Sequence, residues 1–293
     1  MKTGERARET AKRSRPIGVF DSGIGGLTVV SALRKVLPNE TIYYLGDTAR
    51  VPYGGKSAAT VERYSLEIAE MLLEQDCKAI VVACNTASAL ALPRLEEMSP
   101  VPVMGVIRPG AEAAVAATRN RHIGVIGTRA TIKSGAYERA IQSLDEVVQV
   151  TARACPLFVP LIEEGWLEGE ITDRIVRQYL APLLDEGVDA VVLGCTHYPL
   201  LRPAIERFLG DKVQLVDSAQ NCAAAVSRLL EDENLRAPLD ADSNLSVALT
   251  DPPDAFLEVA LEALCLEIGE VALRPVIHAG ETGAVPSELG RRG

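Results

Sequence analysis

Two stretches of the sequence share one pattern: Ile80-Val81-Val82-Ala83-Cys84-Asn85-Thr86 and Val191-Val192-Leu193-Gly194-Cys195-Thr196. Each is a continuous apolar run of strand length that ends in a cysteine and polar residues, which is typical of a strand buried in a parallel sheet. A second pair of runs, Ile17–Asp21 and Ile123–Gly127, repeats in the same way. The two runs of each unit start 63 residues apart in the first unit and 68 residues apart in the second. The sequence therefore predicts two similar units.

Outside these runs, apolar strands alternate with amphipathic helices along the chain, a pattern that predicts parallel sheets with helices on both faces. We expect an α/β protein of two similar parallel-sheet lobes. The predicted first lobe comprises residues 16–107 and 218–293, because one strand and a few helices after Asp217 would make a poor third domain. The predicted second lobe comprises residues 108–217. Single helices are predicted over Ala87–Glu97 and Ser134–Ser143.

Charge and composition exclude several classes of protein. The net charge is −10, yet the first fifteen residues carry six basic and two acidic side chains. We expect residues 1–15 to form a disordered basic tail, and the acidic remainder disfavours nucleic-acid binding. No apolar run is long enough to predict a membrane span.

The six cysteines indicate neither a disulfide scaffold nor a zinc site. They are Cys77, Cys84, Cys155, Cys195, Cys222 and Cys265, and no two have the spacing of paired metal ligands. This usage indicates the reducing cytoplasm. The seven lysines all lie outside the polar clusters that follow the strands, which disfavours pyridoxal phosphate. We therefore expect no metal and no cofactor.

Four polar clusters follow predicted strands, at the sheet edge where parallel α/β proteins bind ligands. The clusters are Asp21-Ser22-Gly23, Asp47-Thr48, Cys84-Asn85-Thr86 and Cys195-Thr196-His197. Most of them begin or nearly begin a helix, where backbone N–H groups favour an anion such as a carboxylate or a phosphate.

Two glycine-rich stretches fail as nucleotide motifs. A dinucleotide fingerprint starting at Gly23 needs a glycine where Thr28 stands, and a phosphate-binding loop ending at Gly55-Lys56-Ser57 needs one where Arg50 stands. Tight turns that lead into helices explain both stretches better.

The repeated cysteines predict acid/base chemistry. A single cysteine at the end of a strand is usually a small core residue, but Cys84 and Cys195 recur in matched settings. A helix N-terminus is expected to lower the thiol pKa towards neutrality. If the lobes face each other, the two thiols would flank one cleft, as stereoinversion by proton transfer requires. His197 is close enough along the chain to exchange protons with Cys195. Asp21 could play the matching part beside Cys84 or simply cap a helix.

Four motifs carry a resemblance to a known family. They are Asp21-Ser22-Gly23-Ile24-Gly25-Gly26, Asp47-Thr48-Ala49-Arg50-Val51-Pro52-Tyr53-Gly54, Ala83-Cys84-Asn85-Thr86-Ala87-Ser88 and Gly194-Cys195-Thr196-His197-Tyr198-Pro199-Leu200. Over about residues 16–220 the chain resembles the glutamate racemases, which belong to the cofactor-independent aspartate/glutamate racemases.

The resemblance implies lobes related by pseudo-twofold symmetry, with the substrate in the cleft between them. It implies that Cys84 takes the α-proton from D-glutamate and Cys195 takes it from L-glutamate. Asp21 would assist Cys84, His197 would assist Cys195, and Glu163 would support His197. The implied substrate-binding residues are Asp21, Ser22, Tyr53, Gly54, Asn85, Thr86, Thr196 and His197.

The resemblance also implies a homodimer and the supply of D-glutamate for bacterial peptidoglycan. Two alternatives stay open at this point. One is an aspartate or hydantoin racemase of the same superfamily, and the other is a non-catalytic binding or regulatory protein on this fold.

Overall fold

The computed structural model describes residues 9–252 and 256–276 of the chain. Within these ranges the strands form two separate sheets, and every pair of neighbouring strands is parallel. The strands are β1 (Ile17–Asp21), β2 (Ile42–Gly46), β3 (Ala79–Val82), β4 (Val103–Gly105), β5 (His122–Gly127), β6 (Gln149–Ala154), β7 (Ala190–Gly194), β8 (Gln214–Asp217), β9 (Leu245–Leu249) and β10 (Glu270–Leu273).

Helices connect the strands. The α-helices are α1 (Leu27–Val36), α2 (Ala58–Leu73), α3 (Asn85–Leu90), α4 (Leu92–Met98), α5 (Ile107–Ala117), α6 (Arg129–Ser134), α7 (Ala136–Leu144), α8 (Phe158–Glu163), α9 (Glu170–Asp185), α10 (Arg202–Leu209), α11 (Ser218–Asp232) and α12 (Phe256–Leu264). Short 3₁₀ turns occupy Thr48–Arg50, Tyr53–Gly55 and Tyr198–Leu201.

The strand order explains the sequence repeat. The first sheet has the order β10-β9-β2-β1-β3-β4 and the second has the order β6-β5-β7-β8. The four strands β2-β1-β3-β4 therefore match β6-β5-β7-β8 one for one. The α/β architecture of two similar parallel-sheet lobes agrees with the prediction. We call the lobe built on the first sheet the first lobe and the other the second lobe.

In each sheet, the direction in which successive strands are added reverses at the same place. In the first sheet β1 lies between β2 and β3, and in the second sheet β5 lies between β6 and β7. Parallel sheets bind ligands in the crevice at such a switch point, outside the carboxyl ends of the strands. Cys84 follows β3 and Cys195 follows β7, so the fold places each cysteine at a switch point.

The segment after Asp217 first forms α11, which packs on α1 and α5. It then adds β9 and β10 to the edge of the first sheet beside β2. The largest apolar core combines residues of both lobes, such as Ile24 and Leu27 with Phe158 and Tyr198.

Two predicted helices are broken for identifiable reasons. The helix predicted over Ala87–Glu97 is two helices, α3 and α4, because Pro93 in the first turn of α4 cannot continue the hydrogen bonding of α3. The helix predicted over Ser134–Ser143 is likewise divided into α6 and α7, because Gly135 adopts a left-handed conformation with φ of 64°.

The N-terminal segment differs from the expected disordered tail. Residues 9–13 are helical. The Arg13 carbonyl accepts a hydrogen bond from Lys78 Nζ, and Arg13 Nε donates to the Arg236 carbonyl at 2.6 Å. Arg15 also pairs with Asp76 at 2.9 Å. These polar contacts, which composition does not reveal, hold the segment on the first lobe, and residues 1–8 lie outside the described ranges.

Some other sequence predictions fall on residues outside the described ranges. Residues 277–293 of the predicted first lobe, with His278 among them, lie outside them, as do residues 253–255. In the described part of the chain, no helix is both long enough and apolar enough to cross a membrane.

Candidate active site between the lobes

The two switch points meet at one small cavity. Its lining comprises Ser22, Val51, Pro52, Tyr53, Gly54, Cys84, Asn85, Thr86, Thr128, Val159, Cys195, Thr196 and His197. The first lobe supplies the residues up to Thr86, and the second lobe supplies the rest. The cavity volume is about 30 Å³, which is room for roughly two water molecules. The lobes therefore enclose a site that must open to admit an amino acid.

Most of the residues that the sequence singled out line this cavity, and two stand behind it. Asp21 is fully buried and Glu163 is partly exposed at the second lobe. A larger cavity of about 460 Å³ lies between α5, β8 and the start of α11, and none of the predicted site residues lines it. We assign the site to the smaller cavity because the thiols and the imidazole converge only there.

Cys84 occupies the N-cap position of α3, as its predicted place before a helix requires. Its Sγ accepts a hydrogen bond from the Ala87 N–H at 3.4 Å and lies 3.7 Å from Ser22 Oγ. Burial nevertheless raises the pKa of Cys84 to about 12, with the negative charge of Asp21 adding to the effect. The expected lowering by the helix N-terminus is thus outweighed. At neutral pH Cys84 is therefore a thiol that holds its proton.

Cys195 has a different partner. Its Sγ lies 3.8 Å from His197 Nδ1, and His197 Nε2 lies 3.1 Å from Glu163 Oε1. Burial alone would lower the pKa of His197, but hydrogen bonds with Cys195 and Glu163, together with the negative charges nearby, raise it to about 10. At neutral pH the imidazole is therefore protonated, with a proton close to the Cys195 sulfur.

Asp21 connects the two lobes behind the cavity. Its Oδ2 accepts a hydrogen bond from the Gly23 N–H at 3.1 Å, and its Oδ1 accepts one from Thr196 Oγ1 at 3.3 Å. Burial raises the pKa of Asp21, against the lowering effect of the positive charge on His197. The carboxyl group therefore contacts residues of both lobes behind the cavity.

The approach of the two lobes is close at Gly25. A Cβ atom added there would lie 2.4 Å from His197 Nδ1 and 2.7 Å from Thr196 Oγ1. Thr28 Oγ1, in the first turn of α1, donates to the Thr196 carbonyl at 3.0 Å. Of the glycines before α1, Gly25 therefore serves contact between the lobes, whereas Gly23 and Gly26 pack against residues of the first lobe.

Two threonines of the lining, Thr86 and Thr128, share a cluster of hydroxyl groups with Thr131, which is outside the lining. Thr86, Thr128 and Thr131 form a mutual triangle through their Oγ1 atoms, with distances of 3.0 Å, 3.1 Å and 3.0 Å. Sequence reasoning missed Thr128, although a signal was present. The repeat that aligns Ile17–Asp21 with Ile123–Gly127 also aligns Ser22 with Thr128.

Tyr53 and Gly54 come from the turn after β2, and Asp47 fixes that turn. The buried carboxylate of Asp47 accepts hydrogen bonds from the Tyr53 hydroxyl, from Arg50 Nε at 2.7 Å and from Thr250 Oγ1 at 3.0 Å. Asp47 is absent from the cavity lining. This strand-end residue therefore supports the site and does not face it.

The lining residues named above include no lysine or arginine. Backbone N–H groups, hydroxyls, the Asn85 amide and the protonated His197 imidazole are the donors that the cavity offers to an anion. Among the described residues, no group of three or more potential ligands is placed to hold a metal ion. The other cysteines lie away from the lining, with Cys77, Cys155 and Cys222 buried and Cys265 exposed.

Comparisons with known proteins agree with this geometry. The family described as Asp/Glu/Hydantoin racemase matches residues 27–226. The chain belongs to this racemase family. A glutamate racemase from Geobacter metallireducens is 50% identical over 257 residues, which cover 88% of this chain and 95% of the relative. A second, from Neisseria meningitidis serogroup A, is 53% identical over 237 residues, covering 80% of this chain and 86% of the relative.

Solved racemase structures share the fold. The crystal structure of glutamate racemase from Francisella tularensis in complex with D-glutamate has a TM-score of 0.84 at 38% identity. The match covers 90% of this chain and 98% of the Francisella tularensis chain. The shared fold therefore extends over both lobes of this chain.

Proposed function

We propose that this protein is a glutamate racemase that interconverts L- and D-glutamate by cofactor-independent proton transfer at Cα. One observation carries the proposal: Cys84 from the first lobe and Cys195 from the second line the same cavity. Inversion at carbon needs one group that removes a proton and another that returns a proton to the opposite face. The relatives that are about half identical carry the name glutamate racemase, which favours glutamate over aspartate or a hydantoin.

In the L-to-D direction, Cys195 acts as a thiolate and takes the Cα proton. The Cα–H bond breaks, an S–H bond forms at Cys195, and the electron pair stays on the substrate as a carbanion. Cys84 then gives its thiol proton to the other face of Cα. Its raised pKa of about 12 suits it to hold that proton until the carbanion forms. The D-to-L direction reverses each step.

Donors in the cavity stabilise the carbanion. Charge that develops at Cα spreads onto the α-carboxylate, so groups that donate to this carboxylate stabilise the transition state. Asn85, Ser22 and the threonine hydroxyls are such donors. Closure of the lobes excludes water and strengthens these interactions.

His197 and Asp21 restore the starting protonation states. After one turnover Cys195 holds a proton and Cys84 has lost one. Once Cys195 is neutral, its charge no longer raises the pKa of His197, so the imidazolium releases its Nδ1 proton to water when the lobes open and keeps the Nε2 proton that faces Glu163. The deprotonated Nδ1 atom, 3.8 Å from the Cys195 sulfur, then accepts the thiol proton, and Cys84 takes up a proton from water. Asp21 adds negative charge next to Cys84, which favours reprotonation of that thiol.

Purified protein tests the proposal without any added cofactor and with a chelator present. We expect the optical rotation of both L- and D-glutamate to decay to the racemic value, with aspartate and hydantoins inert or much slower. Faster racemisation of aspartate or a hydantoin would move the protein to another branch of the family. If the optical rotation of both enantiomers stayed constant, the proposal would be overturned. Binding of glutamate under those conditions would then favour a regulatory protein.

We further propose that the enzyme is a cytoplasmic homodimer that supplies D-glutamate for peptidoglycan. Six free cysteines support a reducing compartment. Analytical ultracentrifugation tests the dimer, which a monomeric mass at micromolar concentration would contradict. Requirement of D-glutamate for growth after gene deletion tests the pathway.

A further inference from the structure

The side-chain amide of Asn85 is only half satisfied. Asn85 is 2% exposed and lines the cavity directly after Cys84. Its Oδ1 accepts a hydrogen bond from the Tyr137 hydroxyl at 2.7 Å. Within the described residues its Nδ2 is buried and has no hydrogen-bond partner. A buried donor without an acceptor is costly, so this amino group points to a ligand oxygen that completes it.

Tyr137 reaches this amide from the other lobe. It lies on α7 in the second lobe and is 1% exposed, whereas Asn85 begins α3 in the first lobe. Its ring is enclosed by two glycines, since a Cβ atom on Gly110 or on Gly194 would lie 3.2 Å from a Tyr137 ring carbon. The hydroxyl therefore has a fixed position, and burial raises its pKa, which keeps it protonated as a donor.

The orientation of the Asn85 amide decides whether the cavity presents a hydrogen-bond donor or an acceptor to a carboxylate. With Oδ1 held by Tyr137, the amino group is left to donate to a carboxylate. With the amide turned over, a carbonyl oxygen would face the carboxylate and repel it. We propose that Tyr137 is a positioning residue that holds the Asn85 amide so that Nδ2 binds a carboxylate of the substrate. This inference rests on the proposed racemase activity, and it makes one substrate contact depend on the approach of the two lobes.

A double-mutant cycle tests the coupling, with Tyr137→Phe, Asn85→Ala and the combined variant. We expect Tyr137→Phe to raise KM for glutamate roughly fivefold, as for one lost hydrogen bond, with kcat within about twofold. Asn85→Ala should raise KM at least as much. In the Asn85→Ala background, Tyr137→Phe should have no further effect on KM.

Tyr198→Phe is the matched control. Tyr198 is equally buried, and its hydroxyl donates to the Cys155 carbonyl at 3.0 Å. This variant should lower the unfolding midpoint and leave KM for glutamate unchanged. A purely structural role for Tyr137 would give the same pattern in Tyr137→Phe and additive effects in the combined variant, and either result would overturn the inference.

Asn85→Asp tests the amide even if Tyr137→Phe does not fold. An aspartate keeps an acceptor for Tyr137 but replaces the amino group with a second oxygen. We expect calorimetry to show loss of D-glutamate binding at an unfolding midpoint near that of the wild type, and unchanged binding would overturn the inference. If the wild type itself does not racemise glutamate, the proposed function is wrong. The role of Tyr137 in orienting the Asn85 amide is then still tested by the binding measurement.

Discussion

At the scale of single residues, burial outweighs the helix N-terminus in setting the pKa of Cys84. The sequence placed Cys84 before a helix, and the structure has it there as the N-cap of α3. Its pKa is raised to about 12 all the same, because the closed cavity removes the thiol from water. Sequence spacing could not reveal this, since desolvation depends on how closely the other lobe packs.

His197 gives a pH-dependent contribution to stability. Its pKa rises from 6.5 to about 10 on folding, so the native state binds its proton more tightly. The resulting stabilisation is fully present below pH 6.5 and is lost as the pH rises to about 10. We expect the urea midpoints of the wild type and His197→Gln to converge over that interval. A difference between the two midpoints that stays constant with pH would contradict the assignment.

Gly25 is a residue at which the two lobes approach closely. Since a Cβ there would lie 2.4 Å from His197 Nδ1, we expect Gly25→Ala to lower the free energy of unfolding by about 1–3 kcal/mol and to reduce kcat sharply. Gly55→Ala is the control, because nothing lies within 4 Å of a Cβ at that position. Equal activity of the two variants would show that the close approach is irrelevant to catalysis.

At the scale of elements, the turn after β2 is fixed from outside the cavity. Asp47, fully buried, holds Tyr53, Arg50 and Thr250, and Thr250 directly follows β9 at the far end of the sequence. The chain that returns to the first sheet therefore braces a turn that lines the site.

Removal of Asp47 should loosen this turn. We expect Asp47→Ala to cost about 3–5 kcal/mol of stability, since Arg50 loses a buried partner, and to raise KM for glutamate. Thr250→Val removes one hydrogen bond only and should cost about 1 kcal/mol. Urea unfolding and steady-state kinetics measure both quantities. An Asp47→Ala variant with unchanged KM would show that the turn holds its shape without this carboxylate.

Strands were more predictable from the sequence than helices. Continuous apolar runs such as Ile17–Asp21 and Ala190–Gly194 have few alternatives to a buried strand. Helix breaks at Pro93 and Gly135 depend on single residues whose local effect competes with an amphipathic pattern. Thr128 could have been inferred from the repeat. Tyr137 could not, because nothing in its local sequence indicates a contact that crosses from one lobe to the other.

At the scale of the whole molecule, an acidic chain encloses a site for an anion. The net charge is −10, yet the cavity is lined by an amide, hydroxyls and the protonated His197 imidazole, which the two switch points bring together. Local dipoles can act against the net charge because the lobes exclude water from the cavity. The sequence repeat predicted the two lobes. The degree of closure, which leaves about 30 Å³, depends on side-chain packing that a repeat does not specify.

The assignment of one thiol from each lobe to one enantiomer of glutamate is tested most directly by hydrogen exchange at Cα in D₂O. We expect the wild type to racemise glutamate and to exchange the Cα proton of both enantiomers. Cys84→Ala should not racemise and should exchange only L-glutamate, the substrate of Cys195. Cys195→Ala should not racemise and should exchange only D-glutamate. Near-wild-type racemisation by either variant would contradict a mechanism with one thiol from each lobe.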